Sequence, residues 1–230
     1  MAVTGIILFG FVVAHMLGNL QAYLGPAALN HYAETLRSVP ALLWAARVVL
    51  IVSAALHVWA AYSLTRMNRK ARPKAYRMRE TRESTLASRT MRWSGGLLLA
   101  FIVYHLMHFT FGTPAVHPSF VRGDVYHNFV TGLRVLPVAV FYVAAMFALG
   151  FHMYHGIWSM MQTLGLSHPR YDRLRHRFAV AVTVVVVAGN VSFPLAVLAG
   201  IIRERSPAVA SAATPAPGLP HTGSTDARNR

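Results

Sequence analysis

The stretch Val135–Gly165, "VLPVAVFYVAAMFALGFHMYHGIWSMMQTLG", runs without a single Asp, Glu, Lys or Arg. About 20 apolar residues of helix suffice to cross roughly 30 Å of hydrocarbon, so this segment reads as a transmembrane helix with length to spare. Within it stand two histidines, His152 and His155. An imidazole in hydrocarbon needs a partner inside the bundle, so it marks a functional position by default.

Four further stretches are free or nearly free of charge: 3–25, 39–65, 94–112 and 178–202. With 55% hydrophobic residues and a formal charge of +15, the 230-residue chain is expected to be an all-α integral membrane protein of five transmembrane helices. Residues 1–202 form the membrane domain in this reading. The tail 203–230, rich in Pro, Ala, Ser and Thr, is expected to be disordered.

Charge placement sets an expected orientation. Residues 66–92 hold ten Lys or Arg against Glu80 and Glu83, and residues 170–177 hold four more basic residues. The alternate loops, 26–38 and 113–134, hold three between them. The positive-inside bias then puts the N-terminus and the loops 66–92 and 166–177 in the cytoplasm. Basic residues flanking spans fit anionic lipid or a protein partner and speak against nucleic acid as a ligand. The absence of cysteine excludes covalent haem, iron–sulfur ligation by this chain and disulfides. No cleavable signal peptide is evident ahead of the first span.

Six of the twelve histidines fall in the first four spans and none in the fifth: His15, His57, His105, His108, His152 and His155. That is the pattern of four helices with polar interiors and one outside them. At about 1.5 Å per residue, His15 and His105 share one depth, and His57 and His152 share another. Two stacked pairs of neutral imidazoles are what two bis-histidine b haems need. Gly18 and Gly156, each close to a ligand candidate, would let a macrocycle approach the backbone, though small residues serve plain helix packing equally.

His108 and His155 follow their neighbours at i+3, so the two H-x-x-H pairs could also hold copper or a dinuclear centre. Against this stands the lack of any carboxylate in a span. Arg47, the only charged residue within a span, either snorkels to the interface or neutralises a haem propionate.

With these positions placed, the chain resembles the five-helix, di-haem cytochrome b membrane anchors of bacterial succinate:quinone oxidoreductases and fumarate reductases. The resemblance covers about residues 1–202 and is carried by "AHMLGNLQAYLG", "HYAETLR", "NRKARPKAY", "SRTMRWSG" and "GFHMYHGIWSMMQTLG". It implies axial ligands at His15, His57, His105 and His152, with His57 and His152 on the haem nearer the cytoplasm and His15 and His105 on the distal one. It further implies succinate dehydrogenase chemistry on partner subunits, a flavoprotein and an iron–sulfur protein docked on the basic loop. Quinone, menaquinone by expectation, is the acceptor in the bacterial cytoplasmic membrane.

Quinone candidates on the outer side are His31, Glu34 and Arg37, whose plainer reading is the polar face of an interfacial helix. A second candidate site lies near Ser88, Arg89 and Trp93. Two departures from the family pattern are expected to matter. Family members usually carry a short leader before the first span, so Met1 is taken as a candidate misassigned start. Some fumarate-reducing members carry a proton-conducting glutamate where this chain has Gly150, so no such relay is expected here. Three rivals share parts of the pattern: the cytochrome b anchor of a hydrogenase or formate dehydrogenase, a haem-free histidine proton relay, and the H-x-x-H metal protein.

Overall fold

A computed structural model describes residues 1–71, 86–166 and 168–204. Seven α-helices are found among the described residues: α1 Ala2–Asn19, α2 Pro26–Arg37, α3 Pro40–Ala71, α4 Leu86–His105, α5 Val125–Leu133, α6 Leu136–Thr163 and α7 Asp172–Leu198. Five of the described helical segments are long and apolar enough to cross a membrane. The protein is a multi-pass helical membrane protein.

The helices overrun the apolar stretches in a consistent way. α3 continues past Thr65 through Arg66, Arg69 and Lys70, and α7 begins at Asp172, ahead of the apolar run at Phe178. Helix propensity does not stop at the end of an apolar run, because Arg, Lys and Met are good helix formers and the long stems of Arg and Lys let their charged heads reach polar surroundings. The extension places His176, which precedes the apolar run 178–202, on the first turns of the fifth membrane-crossing helix, where its Nδ1 lies 3.0 Å from the Tyr154 hydroxyl. The basic segment 72–85 lies outside the described residues, as does most of the tail. Arg203 and Glu204 are described and are tied down: the Arg203 carbonyl accepts from the Tyr126 hydroxyl at 3.0 Å, and Glu204 pairs with His127.

α6 is the centre of the bundle. It packs on α7 along one side and on α4 along the other, and α1 touches α3, α6 and α7. Close approach of α6 and α7 depends on Gly150, where an added Cβ would lie 2.9 Å from Val187 Cγ2. Small residues bring backbones together in this way where no hydrophobic force acts between helices. Gly18 likewise has no room for a side chain, since a Cβ there would meet the Tyr32 hydroxyl at 2.6 Å. Its role is packing against α2. At Gly156 nothing lies within 4 Å of an added Cβ.

α3 differs from the others, packing chiefly on α1 and α2, with Ser53 its only buried residue. An open apolar cleft of about 440 Å³ runs between α3 and α4, lined by Ala54, Ala55, Val58, Trp59, Tyr62 and Leu99.

The end of the bundle opposite the N-terminus is closed by α2 and α5. Asp124 caps α5 by accepting from the His127 backbone N–H at 2.9 Å, and it also accepts from Asn30 Nδ2 of α2 at 3.0 Å. Asn30 Oδ1 in turn accepts from the Tyr126 N–H at 2.9 Å. Burial pushes the Asp124 carboxyl up, but these donors outweigh it and hold the group below the usual range.

The candidate cofactor site

Four helices bring four histidines together as two pairs. His15 of α1 and His105 of α4 have ring centroids 5.8 Å apart at an interplanar angle of 88°. His57 of α3 and His152 of α6 have centroids 6.3 Å apart at 57°. Two imidazoles sharing one metal, each nitrogen about 2 Å from it, place their ring centroids about 6 Å apart. The two pairs therefore have the spacing that a shared iron requires.

The hydrogen bonds around three of the rings engage one nitrogen and leave the other uncommitted. His57 Nδ1 lies 3.1 Å from Thr4 Oγ1, His152 Nδ1 lies 3.3 Å from Ser94 Oγ, and His105 Nδ1 lies 3.2 Å from the Tyr142 hydroxyl. Among the described residues the Nε2 atoms of these three rings make no hydrogen bond. A histidine whose second nitrogen is held by an outer partner while the first stays uncommitted is the usual arrangement of a metal ligand. His15 is held differently, by stacking on Phe11 one turn earlier at 5.3 Å and 24°. The donor set of each pair, one imidazole from each of two neighbouring helices, suits haem iron, and His15 lies exposed while His57, His105 and His152 are half-buried.

Close to the first pair, α4 changes pitch. Leu106–Phe111 forms a π-helical turn that ends at Gly112 with φ +60. A Cβ at Gly112 would run into the Phe120 ring, so both the left-handed backbone and the space require glycine. Such turns occur frequently at functional sites. Here the turn swings His108 inward, where it is 1% exposed and its Nδ1 lies 2.9 Å from the same Tyr142 hydroxyl that meets His105.

His117, a buried loop residue, donates through Nδ1 to the His108 carbonyl at 3.1 Å, and its ring lies tilted against that of His108 with centroids 4.7 Å apart. Burial holds His117 below the usual imidazole range despite that bond. Nearer the surface, burial pulls His127 down, but the Ser119 carbonyl and the Glu204 carboxylate outweigh it and raise the group.

The remaining sequence candidates lie elsewhere. Arg47 is exposed on α3, with its guanidinium 4.9 Å from the Trp44 ring. His31, Glu34 and Arg37 are exposed on α2, where Arg37 Nε donates to its own helix at the Ala33 carbonyl. Trp93 is 83% exposed, and the side chains of Ser88 and Arg89 lie outside the described ones. His155 makes no hydrogen bond among the described residues, and no group of three or more His, Cys, Asp or Glu is gathered there to hold a metal ion. The H-x-x-H pairs are thus not assembled into one centre, because His108 turns to Tyr142 and His117.

Thr4, Ser94, Tyr142 and His117 were not singled out by sequence reasoning. A hydroxyl in an apolar helix is common, and only its alignment with a ring on the next helix gives it meaning.

No curated protein and no solved structure matches the chain. One protein family does, over residues 65–189, which is more than half of the chain and takes in the end of α3, the basic segment, α4 with His105, α6 with His152 and most of α7. Five membrane-crossing helices and this match agree: the chain belongs to the succinate dehydrogenase/fumarate reductase transmembrane subunit family.

Proposed function

We propose that the chain is the di-haem cytochrome b anchor of a succinate:quinone oxidoreductase, passing electrons from an iron–sulfur partner to quinone. The observation that carries this reading is the pairing of His15 with His105 and His57 with His152 at the spacing of shared axial ligands. Haem b held at each pair would supply one-electron transfer across the bilayer. This chain's own part would be to offer each haem one imidazole from each of two helices, with Thr4, Ser94 and Tyr142 keeping three of the rings oriented.

The family membership supports association with the other subunits of the complex. The flavoprotein and iron–sulfur protein dock, in this reading, on the cytoplasmic face formed by loops 66–92 and 166–177, in the bacterial cytoplasmic membrane. His57 and His152 then serve the inner haem, and His15 and His105 the outer. Quinone, menaquinone by expectation, is reduced at the outer end. His31, Glu34 and Arg37 line the interface there, and Arg47 on its lipid-facing site reaches the outer headgroups. A hydrogenase or formate dehydrogenase anchor is set aside by the family match.

A reduced-minus-oxidised optical spectrum and a pyridine haemochrome assay on the purified complex test the reading. Two haems b per chain are expected. A folded complex without b-type bands would reject it and leave the histidine proton relay.

A further inference from the structure

Resting on the di-haem reading, we infer that three hydroxyls, Thr4, Ser94 and Tyr142, are positioning residues that fix the tautomer of three of the four histidines and set how strongly each donates to its iron. The argument is a count of hydrogens. A hydroxyl has one hydrogen to give and lone pairs to receive. Ser94 Oγ donates to the Met91 carbonyl at 3.1 Å, one turn back in α4. Its contact with His152 Nδ1 at 3.3 Å is then one in which the serine accepts, so His152 carries its proton on Nδ1.

Thr4 repeats the device on another helix. Its Oγ1 donates to the Met1 carbonyl at 3.0 Å and so accepts from His57 Nδ1 at 3.1 Å. Both members of this pair are thereby held as the Nδ1–H form with the Nε2 lone pair bare. That is the form a metal takes, and the other tautomer would present an N–H to the iron.

Tyr142 performs the same task for the other pair by a different route. Its hydroxyl lies 3.2 Å from His105 Nδ1 and 2.9 Å from His108 Nδ1. One hydrogen serves only one of them, so the tyrosine donates to one ring and accepts from the other. With His105 as ligand the order runs His105 Nδ1–H to Tyr142 oxygen, and Tyr142 O–H to His108 Nδ1. This gives His108 its role: it is the acceptor that turns the tyrosine toward its ligand neighbour. Among the described residues no hydroxyl is bonded to His15, and Phe11 stacking orients it instead.

In each case the hydroxyl comes from a helix other than the histidine's own: α1 for His57, α4 for His152 and α6 for His105. Ligand orientation is therefore set by helix packing. A ring donating from Nδ1 gains imidazolate character, which favours ferric iron, so deleting the hydroxyl favours the ferrous state.

The test uses the complete membrane complex with Ser94→Ala, Thr4→Val and Tyr142→Phe. Haem b content is read by pyridine haemochrome, and the ferrous-to-ferric ratio of each haem by potentiometric titration with low-spin ferric electron paramagnetic resonance. Each variant is expected to raise that ratio about fivefold at fixed potential, the worth of one hydrogen bond of ordinary strength. Ser94→Ala and Thr4→Val shift one haem, and Tyr142→Phe shifts the other.

If Ser94→Ala loses the haem and Ser94→Thr restores it, the inference holds, because threonine keeps the hydroxyl. Loss that threonine does not restore overturns it, as does full haem content with unchanged titration and resonance in all three variants. A wild-type complex free of haem b would instead overturn the di-haem reading itself.

Discussion

His57 and His152 stand on helices that pack mainly with other partners, yet their ring centroids are 6.3 Å apart across the α3–α6 gap. In the di-haem reading this pair acts as a unit. Replacing either residue with alanine is expected to remove one and the same haem, whereas His15→Ala or His105→Ala removes the other. Haem stoichiometry and the resolved optical bands check this. Loss of a single haem by one member of each pair would break the pairing.

At Gly150 the close contact with Val187 leaves no space for a side chain. Gly150→Ala is expected to cost about 1–3 kcal/mol through overpacking, and Gly150→Glu to reduce folded yield further by burying a charge between α6 and α7. Thermal unfolding of the detergent-solubilised protein measures both. Vesicles containing the wild-type complex are expected to show no compensating transmembrane proton flow during turnover.

Asp124 joins α2 to α5, and its loss should loosen that end of the bundle. Asp124→Ala is expected to destabilise the protein by about 1 kcal/mol, the usual worth of a helix N-cap. Because the folded carboxyl titrates below its ordinary value of 3.8, its stabilisation is present above that pH and is lost as the pH falls through the lowered value. Acid unfolding of wild type and Asp124→Asn should therefore converge at low pH. Parallel curves throughout would show that the carboxylate contributes nothing.

The His127–Glu204 pair gives the opposite sign. Its histidine titrates above the ordinary 6.5, so the pairing is fully present below that pH and is lost as the pH rises through the raised value. Amide exchange in the 199–204 segment is expected to speed up across that rise in wild type. Glu204→Gln should show fast exchange at both ends of the range.

Much of this protein is legible along the chain. Each span announces itself because an uninterrupted apolar run has no other stable place than a membrane. The depth of a histidine follows from residue counting at a constant rise, so His15 aligned with His105 and His57 with His152 before any packing was known. Composition could not reveal which side of each helix faces its neighbour. Arg47 lies on the exposed side of α3, and His31, Glu34 and Arg37 lie on the exposed side of α2, although their residue types alone suited a site equally well.

Residue order along the chain sets the number of spans, the depth of each residue within its span and the residue types able to ligate. Which histidines meet is settled by packing, because pairing depends on the rotation of each helix about its axis. Packing also decides that Thr4, Ser94 and Tyr142 reach rings on neighbouring helices, since a hydrogen bond needs alignment to a few tenths of an ångström. The π-helical turn after His105 has the same origin: it is held by Gly112 against Phe120, a contact between residues that no helical period connects. Depth is a one-dimensional property that a chain carries in its spacing, and orientation is a property of the packed bundle.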